Sequence, residues 1–289
     1  MKVVVVGARG QLGAGIVHEF SPAHDVAALG RTDLDITDGA AVERVMAGLR
    51  PEAIVNCAYY GNVDGAEDHP LEALQANALG VRSLARAASA HDAALVHFSS
   101  DFVFDGTASR PYTEEDRPNP RSVYAVSKML GEWFAGAAPR AYVLRVESLF
   151  GRAPTGPPPK GSVAGILNAM LAGGEPQVFE DRTVSSTYIL DAARATRQLV
   201  EARAPAGTYH CVNSGHCTWL EFARELARQL GIAPRLRPVR MADVPLRAVR
   251  PQYCALSNAK LASIGIAMPT WQDGLARYVK AVRDKSPEL

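Results

Sequence analysis

A tyrosine and a lysine four residues apart carry the clearest chemistry in the chain. Tyr124 and Lys128 stand in the run YAVSK, and on a helix residues at that spacing share a face. A free phenol has a pKa near ~10, too high for easy proton exchange at neutral pH. An ammonium group one turn away stabilises the phenolate and lowers that value. The pair therefore reads as a general acid for reducing a carbonyl, with Lys128 also available to a nicotinamide ribose. Upstream, Phe98–Gly106 reads FSSDFVFDG. Ser100 can donate a hydrogen bond to a carbonyl oxygen, and Asp101 can accept one from a sugar hydroxyl. A turn capped by Ser and Asp explains the same residues without chemistry, and YxxxK pairs arise by chance, so their meaning depends on what surrounds them.

The N-terminal segment supplies that context. Val3–Val6 leads into GARGQLG, with glycines at Gly7, Gly10 and Gly13. A strand enters this turn and a helix leaves it, the setting in which glycines let a backbone approach a pyrophosphate. The helix N-terminus then offers free N–H groups and the positive end of its dipole. The second strand ends at Leu29-Gly30-Arg31. An acidic residue there suits the ribose of NAD, whereas arginine accommodates the 2′-phosphate of NADP. Arg31 points to NADP, with NAD as the second choice; Asp33 and Asp35 follow closely and could instead hold Arg31.

These residues need a scaffold. Short apolar runs at Val3–Val6, Val26–Leu29, Ala53–Val55, Ala94–Phe98 and Tyr142–Val146 alternate with helix-length segments at Gln11–Phe20, Ala40–Leu49, Leu71–Ala90 and Ser122–Ala135. Strands with little polar alternation are buried on both faces. Repeated βα units give an α/β fold with a Rossmann-like, doubly wound parallel sheet. Past Gly151 the pattern changes to a Pro/Gly-rich loop at Arg152–Ser162, then helices at Val163–Ala172, Tyr188–Glu201, Leu220–Gly231 and Trp271–Arg283, with strands at Gln177–Phe179 and Thr208–Val212. Thr218 and Glu221 form a capping-box pattern. The expected division is a dinucleotide-binding domain over 1–151 and a smaller, mixed substrate-binding lobe over 152–289, interleaved with the last strands of the main sheet.

Bulk composition removes other classes. Lys plus Arg total 31 against 30 Asp plus Glu, so no long-range attraction to nucleic acid or anionic membrane is expected. No stretch reaches the ~20 apolar residues of a membrane helix. MKVVVVGARG breaks at Gly7 and Arg9 before an export signal could form, and a cytoplasmic protein is expected. The four cysteines form no CxxC pair and read as reduced thiols. His210-Cys211 and His216-Cys217 bracket a strand and turn, where alternate side chains face opposite ways, so no metal is expected.

Taken in order, GARGQLG, RTDLDITD, IVNCAYYGNVDGAED, HFSSDFVFDGT, PYTEEDRPNPRSVYAVSKMLGE and VLRVESLFG resemble the extended short-chain dehydrogenase/reductases, and within them the dTDP-4-dehydrorhamnose reductase family. The resemblance implies NADPH-dependent reduction of a keto group on a nucleotide-linked 4-keto-6-deoxy sugar. It implies that Ser100, Tyr124 and Lys128 are the catalytic triad. It places Gly10, Gln11 and Leu12 at the pyrophosphate, Asp35 and Ile36 near the adenine, and Ala58, Tyr59, Tyr60 and Gly61 along the cofactor, with Phe98 beside them and Asn77 near the active site.

The chain departs from the family on the substrate side. Ser148 stands where a tryptophan is usual, Arg182 where a glutamine is usual, and the Arg152–Ser162 loop is unusually rich in proline. Ser148, Phe150 and Arg182 join Ser100 and Asp101 as candidate substrate contacts, Arg182 as a clamp on the diphosphate. Two other functions remain open on these residues: an NAD-dependent nucleotide-sugar epimerase or dehydratase, and a non-catalytic regulatory subunit of the same fold. A homodimer is compatible with the sequence.

Overall fold

The computed structural model describes residues 1–284. Its first strand, β1 (Lys2–Val6), carries four valines with no exposed surface. β-branched side chains suit a pleated surface, and such a strand must be covered on both faces. There follow α1 (Gln11–Phe20), β2 (Asp25–Leu29), α2 (Gly39–Leu49), β3 (Ala53–Asn56), α3 (Gly65–Asp68), α4 (Pro70–Leu74) and α5 (Gly80–Ala90). β4 (Ala94–Ser100), α6 (Val123–Ala135) and β5 (Ala141–Val146) complete the first half.

The later elements are β6 (Leu149–Phe150), α7 (Ser162–Leu171), β7 (Gln177–Phe179), β8 (Thr183–Val184), β9 (Thr187–Tyr188), α8 (Ile189–Glu201), β10 (Gly207–His210), β11 (Cys217–Thr218), α9 (Trp219–Leu230), β12 (Arg237–Val239), α10 (Ala259–Ser263) and α11 (Trp271–Arg283). Thr218 and Glu221 do form the capping box that opens α9.

The central sheet runs β2-β1-β3-β4-β5-β10, with every pairing parallel. β1 and β3 meet where the winding direction reverses, the place at which ligands bind in open α/β sheets. The chain returns to this sheet after 151. β10 forms its edge, α8 packs on α1, and Ile189, Leu199, Tyr209 and Met268 join the core around β1. A second core, built on Phe150, Trp219, Phe222 and Trp271, holds the small strand pairs of the substrate side.

The single helix expected over Leu71–Ala90 is interrupted. A π-helical turn spans Gln75–Leu79, and Asn77 inside it is fully buried. A π-turn offsets the chain by one residue relative to the helix and often marks a functional site. Here α6 crosses so closely that a Cβ on Gly131 would collide with the Asn77 carbonyl.

On its opposite side α6 is fixed to the sheet by charge. Glu132 takes two bonds from Arg145 of β5, at 2.9 and 2.7 Å, and a third from the Ser99 hydroxyl of β4 at 2.5 Å. Both charged side chains are nearly enclosed. Removing one partner of such a pair leaves an uncompensated buried charge. Glu132→Ala should therefore destabilise the protein by about 3–5 kcal/mol, read from denaturant unfolding; a loss under about 1 kcal/mol would show that water reaches Arg145.

Candidate active site

A cavity of about 690 Å³ opens at the C-terminal ends of β1, β3, β4 and β5. One wall is the glycine turn. Gly7 has φ +74°, and a Cβ there would lie 2.6 Å from the Ala58 amide nitrogen; a Cβ on Gly13 would overlap the Gly7 carbonyl. Gly10 sits at the N-cap of α1 and no side chain caps the helix, so its first-turn N–H groups remain for a ligand. Gly10, Gln11, Leu12 and Gly13 all line the cavity. This cradle fits the pyrophosphate of a dinucleotide. The Gln11 side chain has a different job: it donates to the Gly151 carbonyl at 2.8 Å and accepts from the Lys160 amide at 3.3 Å. It thereby ties the proline-rich loop to the turn, and Lys160 and Gly161 reach the cavity wall.

At the end of β2, Arg31 is largely exposed and lies 3.5 Å from Asp35. The Asp35 carboxyl is held below its usual value, first by bonds from Thr37, then by Arg31. Ile36 departs from expectation. Its side chain is buried in the core and packs under Gly80, which leaves only its backbone for an adenine. None of the three lines the cavity. The residue that sequence reading missed is Arg9, which crosses over Gly30 and binds Thr32 at 2.9 Å and Asp33 at 3.0 Å. Its signal was present in GARGQLG, inside the turn itself.

The loop after β3 is built from behind. Asn56 accepts from the Ala58 amide at 3.0 Å, and Asn77 brackets Tyr60 by accepting from its amide (2.8 Å) and donating to its carbonyl (3.1 Å). Asn77 also donates to Ser127 of α6 at 2.9 Å. Tyr60, expected along the cofactor, and Asn77, expected near the active site, do not line the cavity. They brace the loop, and Ala58, Tyr59 and Gly61 present the surface.

Ser100, Tyr124 and Lys128 come together in the cavity wall, all buried. Lys128 donates to the Phe98 carbonyl at 2.6 Å, which leaves two of its three N–H groups for a ligand. Burial draws its pKa down to about 8, against the opposing pull of Glu132 and Cys57. The Tyr124 phenol does not follow the lowering that its spacing from Lys128 predicts. Burial, with Tyr59 and Asp101 nearby, raises the Tyr124 pKa, while the Ser100 hydroxyl against it pulls the other way. With the Lys128 ammonium turned to Phe98, Tyr124 stays protonated and holds a proton to give.

On the substrate side, Arg182 lines the cavity but does not pair with its neighbours Asp181 or Glu180. Asp181 accepts from the Met241 amide and Gln252, and Glu180 from Arg240. Arg182 packs over the Phe102 ring at 5.6 Å and donates to Cys254 at 3.6 Å. Ser148, with φ +42°, faces the cavity and bonds Glu147. Phe150 does not reach the cavity. It is 1% exposed and packs against Tyr188, Phe222 and Tyr278, because the pleat turns its side chain into the second core. A tryptophan does line the wall, but it is Trp219 at the start of α9. Arg250, also on the wall, is held by Asp64 at 2.7 Å.

His97 and His210 are spent in the core, His97 on Asn56 and His210 on the Tyr112 carbonyl and Arg145.

The family model described as the RmlD substrate binding domain matches residues 1–284. The chain belongs to this family of extended short-chain dehydrogenase/reductases. It is 37% identical to a dTDP-4-dehydrorhamnose reductase of Mycobacterium tuberculosis, over 97% of this chain and 93% of that one. It is 36% identical to a probable dTDP-4,6-dihydroxy-2-methyloxan-3-one 4-ketoreductase of Streptomyces antibioticus, over 95% and 93% of the two chains. The crystal structure of dTDP-4-dehydrorhamnose reductase from Bacillus anthracis in complex with NADP superposes with a TM-score of 0.90 at 31% identity, covering 96% and 98% of the two chains. No described helix is long and apolar enough to cross a membrane.

The Lys128 environment sets a pH limit. As pH rises through about 8, the side chain loses its proton and one of the two N–H donors it can offer a ligand. The profile of kcat/KM, which reports groups of the free enzyme, should fall on its alkaline side near that value, and Lys128→Met should lack that limb. An unchanged alkaline limb in the variant would assign it to another group.

Proposed function

We propose that this protein reduces the keto group of a nucleotide-linked 4-keto-6-deoxy sugar with NADPH. The observation that carries the reading is the convergence of Ser100, Tyr124 and Lys128 on one cavity with an uncapped glycine cradle, in a chain of this family. NADPH, when bound, supplies the hydride. The protein supplies position and a proton. Gly7, Gly10 and Gly13 admit the pyrophosphate, and Lys128 offers its free N–H groups to the ribose. Ser100 now donates to Asp101 at 2.8 Å; a small rotation of its hydroxyl turns that bond to a keto oxygen. Tyr124 delivers its proton to the same oxygen as the carbon is reduced. The relatives' names support the dTDP-linked 4-keto sugars as the substrate class, and Ser148, Trp219 and Arg182 are the side chains that would select within it.

Tyr124→Phe should lower kcat by about two to four orders of magnitude, the usual range for a general acid. NADPH oxidation over a panel of 4-keto-6-deoxy sugar nucleotides measures it, and full activity in the variant would remove Tyr124 from the mechanism.

Cofactor choice rests on two arginines. Arg9 occupies Asp33, an acid that would otherwise repel a 2′-phosphate, and Arg31 stands exposed nearby, held by Asp35 at 3.5 Å. A charge-assisted contact is worth about 1.5–3 kcal/mol, or roughly ten- to hundredfold in affinity. Arg9→Ala and Arg31→Ala should each weaken NADPH by that much and NADH far less, by fluorescence titration. Equal losses for the two cofactors in both variants would place the phosphate elsewhere.

A further inference from the structure

At the cavity wall and behind it lies a group of titratable side chains whose proton chemistry the mechanism above does not use. A carboxylate oxygen of Asp101, one of Glu147 and the Cys254 sulfur all lie within 4.8 Å of one another, and all three residues are buried. They come from three separate parts of the chain: the end of β4, the end of β5, and the loop before α10. The fixed positive charge that all three share is the Arg182 guanidinium. Glu147 is anchored by the Ser185 amide on one oxygen and the Ser148 hydroxyl, at 3.3 Å, on the other. Cys217 also feels its charge. Asp101 accepts from Ser100 through one oxygen, and its other oxygen has no partner although it is buried. The arrangement has the outline of a metal site, but a ligating cysteine must be a thiolate. Burial drives the Cys254 thiol well above its ordinary value, so it stays protonated and donates to the Pro251 carbonyl at 3.2 Å.

Counting charge gives a different use. One guanidinium compensates one carboxylate, and a second buried negative charge beside the first would stand unpaired. The two acids therefore hold a proton between them at neutral pH. Burial raises both carboxyl pKa values, the nearby Asp101 raises that of Glu147 further, and Arg182 pulls both the other way. Ser100 is the donor in its 2.8 Å bond to Asp101 and also lies against the Tyr124 phenol, so once the hydroxyl turns to a phenolate a protonated Asp101 can become the donor across the same contact.

We propose that Asp101 and Glu147 form a proton store that recharges Tyr124 through Ser100 after each reduction, with Glu147 setting the protonation of Asp101 from behind the wall. The proposal rests on the reductase reading. In the reduction the keto carbon gains the hydride that NADPH supplies, its oxygen takes the Tyr124 proton, and Tyr124 is left as phenolate. The phenolate then takes the Ser100 hydroxyl proton, and the Ser100 oxygen takes one from the Asp101–Glu147 pair. The pair is left with two carboxylates facing Arg182, a costly state that ends when Asp101, on the cavity wall, takes a proton from water after the product leaves. Over the cycle one proton enters from solvent and one appears on the product hydroxyl.

Glu147→Gln tests this, since glutamine can still accept from the Ser185 amide. A single turnover uses the proton already on Tyr124, so the first equivalent of NADPH should be oxidised at a rate within about twofold of the unmodified enzyme, while later turnovers slow at least about tenfold, visible as a burst. The alkaline limb of kcat should also move to lower pH. Equal slowing of first and later turnovers would mean that Glu147 only shapes the site, and unchanged kcat with an unchanged pH profile would mean that Tyr124 recharges directly from water; either overturns the proposal. Failure of the unmodified enzyme to oxidise NADPH with any keto-sugar nucleotide would instead remove the reductase reading.

Discussion

The active site depends on how tightly one helix is seated. α6 carries both Tyr124 and Lys128, and it is held from two sides. On one side Glu132 grips Arg145 and Ser99, which belong to neighbouring strands of the sheet. On the other, Gly131 lets the helix lie directly against the π-turn backbone at Asn77. A further bond runs from Asn77 to Ser127 in the same helix. The ends of β4 and the loop after β3 thus meet α6 at fixed distances, and Lys128 finds the Phe98 carbonyl where it must. A buried lysine and a buried tyrosine are costly to place; the close seat of α6 offsets that cost and gives the two groups one orientation.

The cavity has two electrostatic halves. The cofactor half is built from backbone N–H groups, an uncapped helix start and arginines at the rim, and it asks for negative charge. The substrate half is buried and acidic, with Asp101 and Glu147 around a single arginine. Tyr124 sits at the border. Burial and the nearby acid keep its proton on, which suits a residue that must give a proton rather than take one. The same enclosure lowers Lys128, so a structure built to exclude water tunes both groups in the direction that favours their neutral forms.

Much of the site was legible because its parts are local. The strand–turn–helix around Gly7, Gly10 and Gly13 follows from residue spacing and from what a backbone without Cβ can do, and the alternation of apolar runs with helices implied the parallel sheet. The Tyr124–Lys128 spacing implied a shared helix face, and the capping box at Thr218 and Glu221 specified where α9 begins. What spacing does not fix is direction. One step of pleat turns Phe150 into the second core, and the side chains of Asn77, Tyr60 and Ile36 brace or underlie the surface that faces the cavity rather than lining it.

Sequence by itself determined which residue types could carry a hydride-transfer reaction and which elements would present them, since both rest on spacings of a few residues. It also contained Arg9, inside the glycine turn, although only the fold of β2 against that turn brings Arg9 onto Asp33. The tertiary structure alone decided the rest. Asp101, Glu147, Arg182 and Cys254 share one buried nest, and Glu132 meets Arg145 and Ser99, only because strands and loops far apart in the chain converge on α6. The protonation of Tyr124 and Lys128 was decided in the same way. Local spacing predicted attraction between them, but a pKa answers to burial and to every charge within reach, and those are set by the packed molecule.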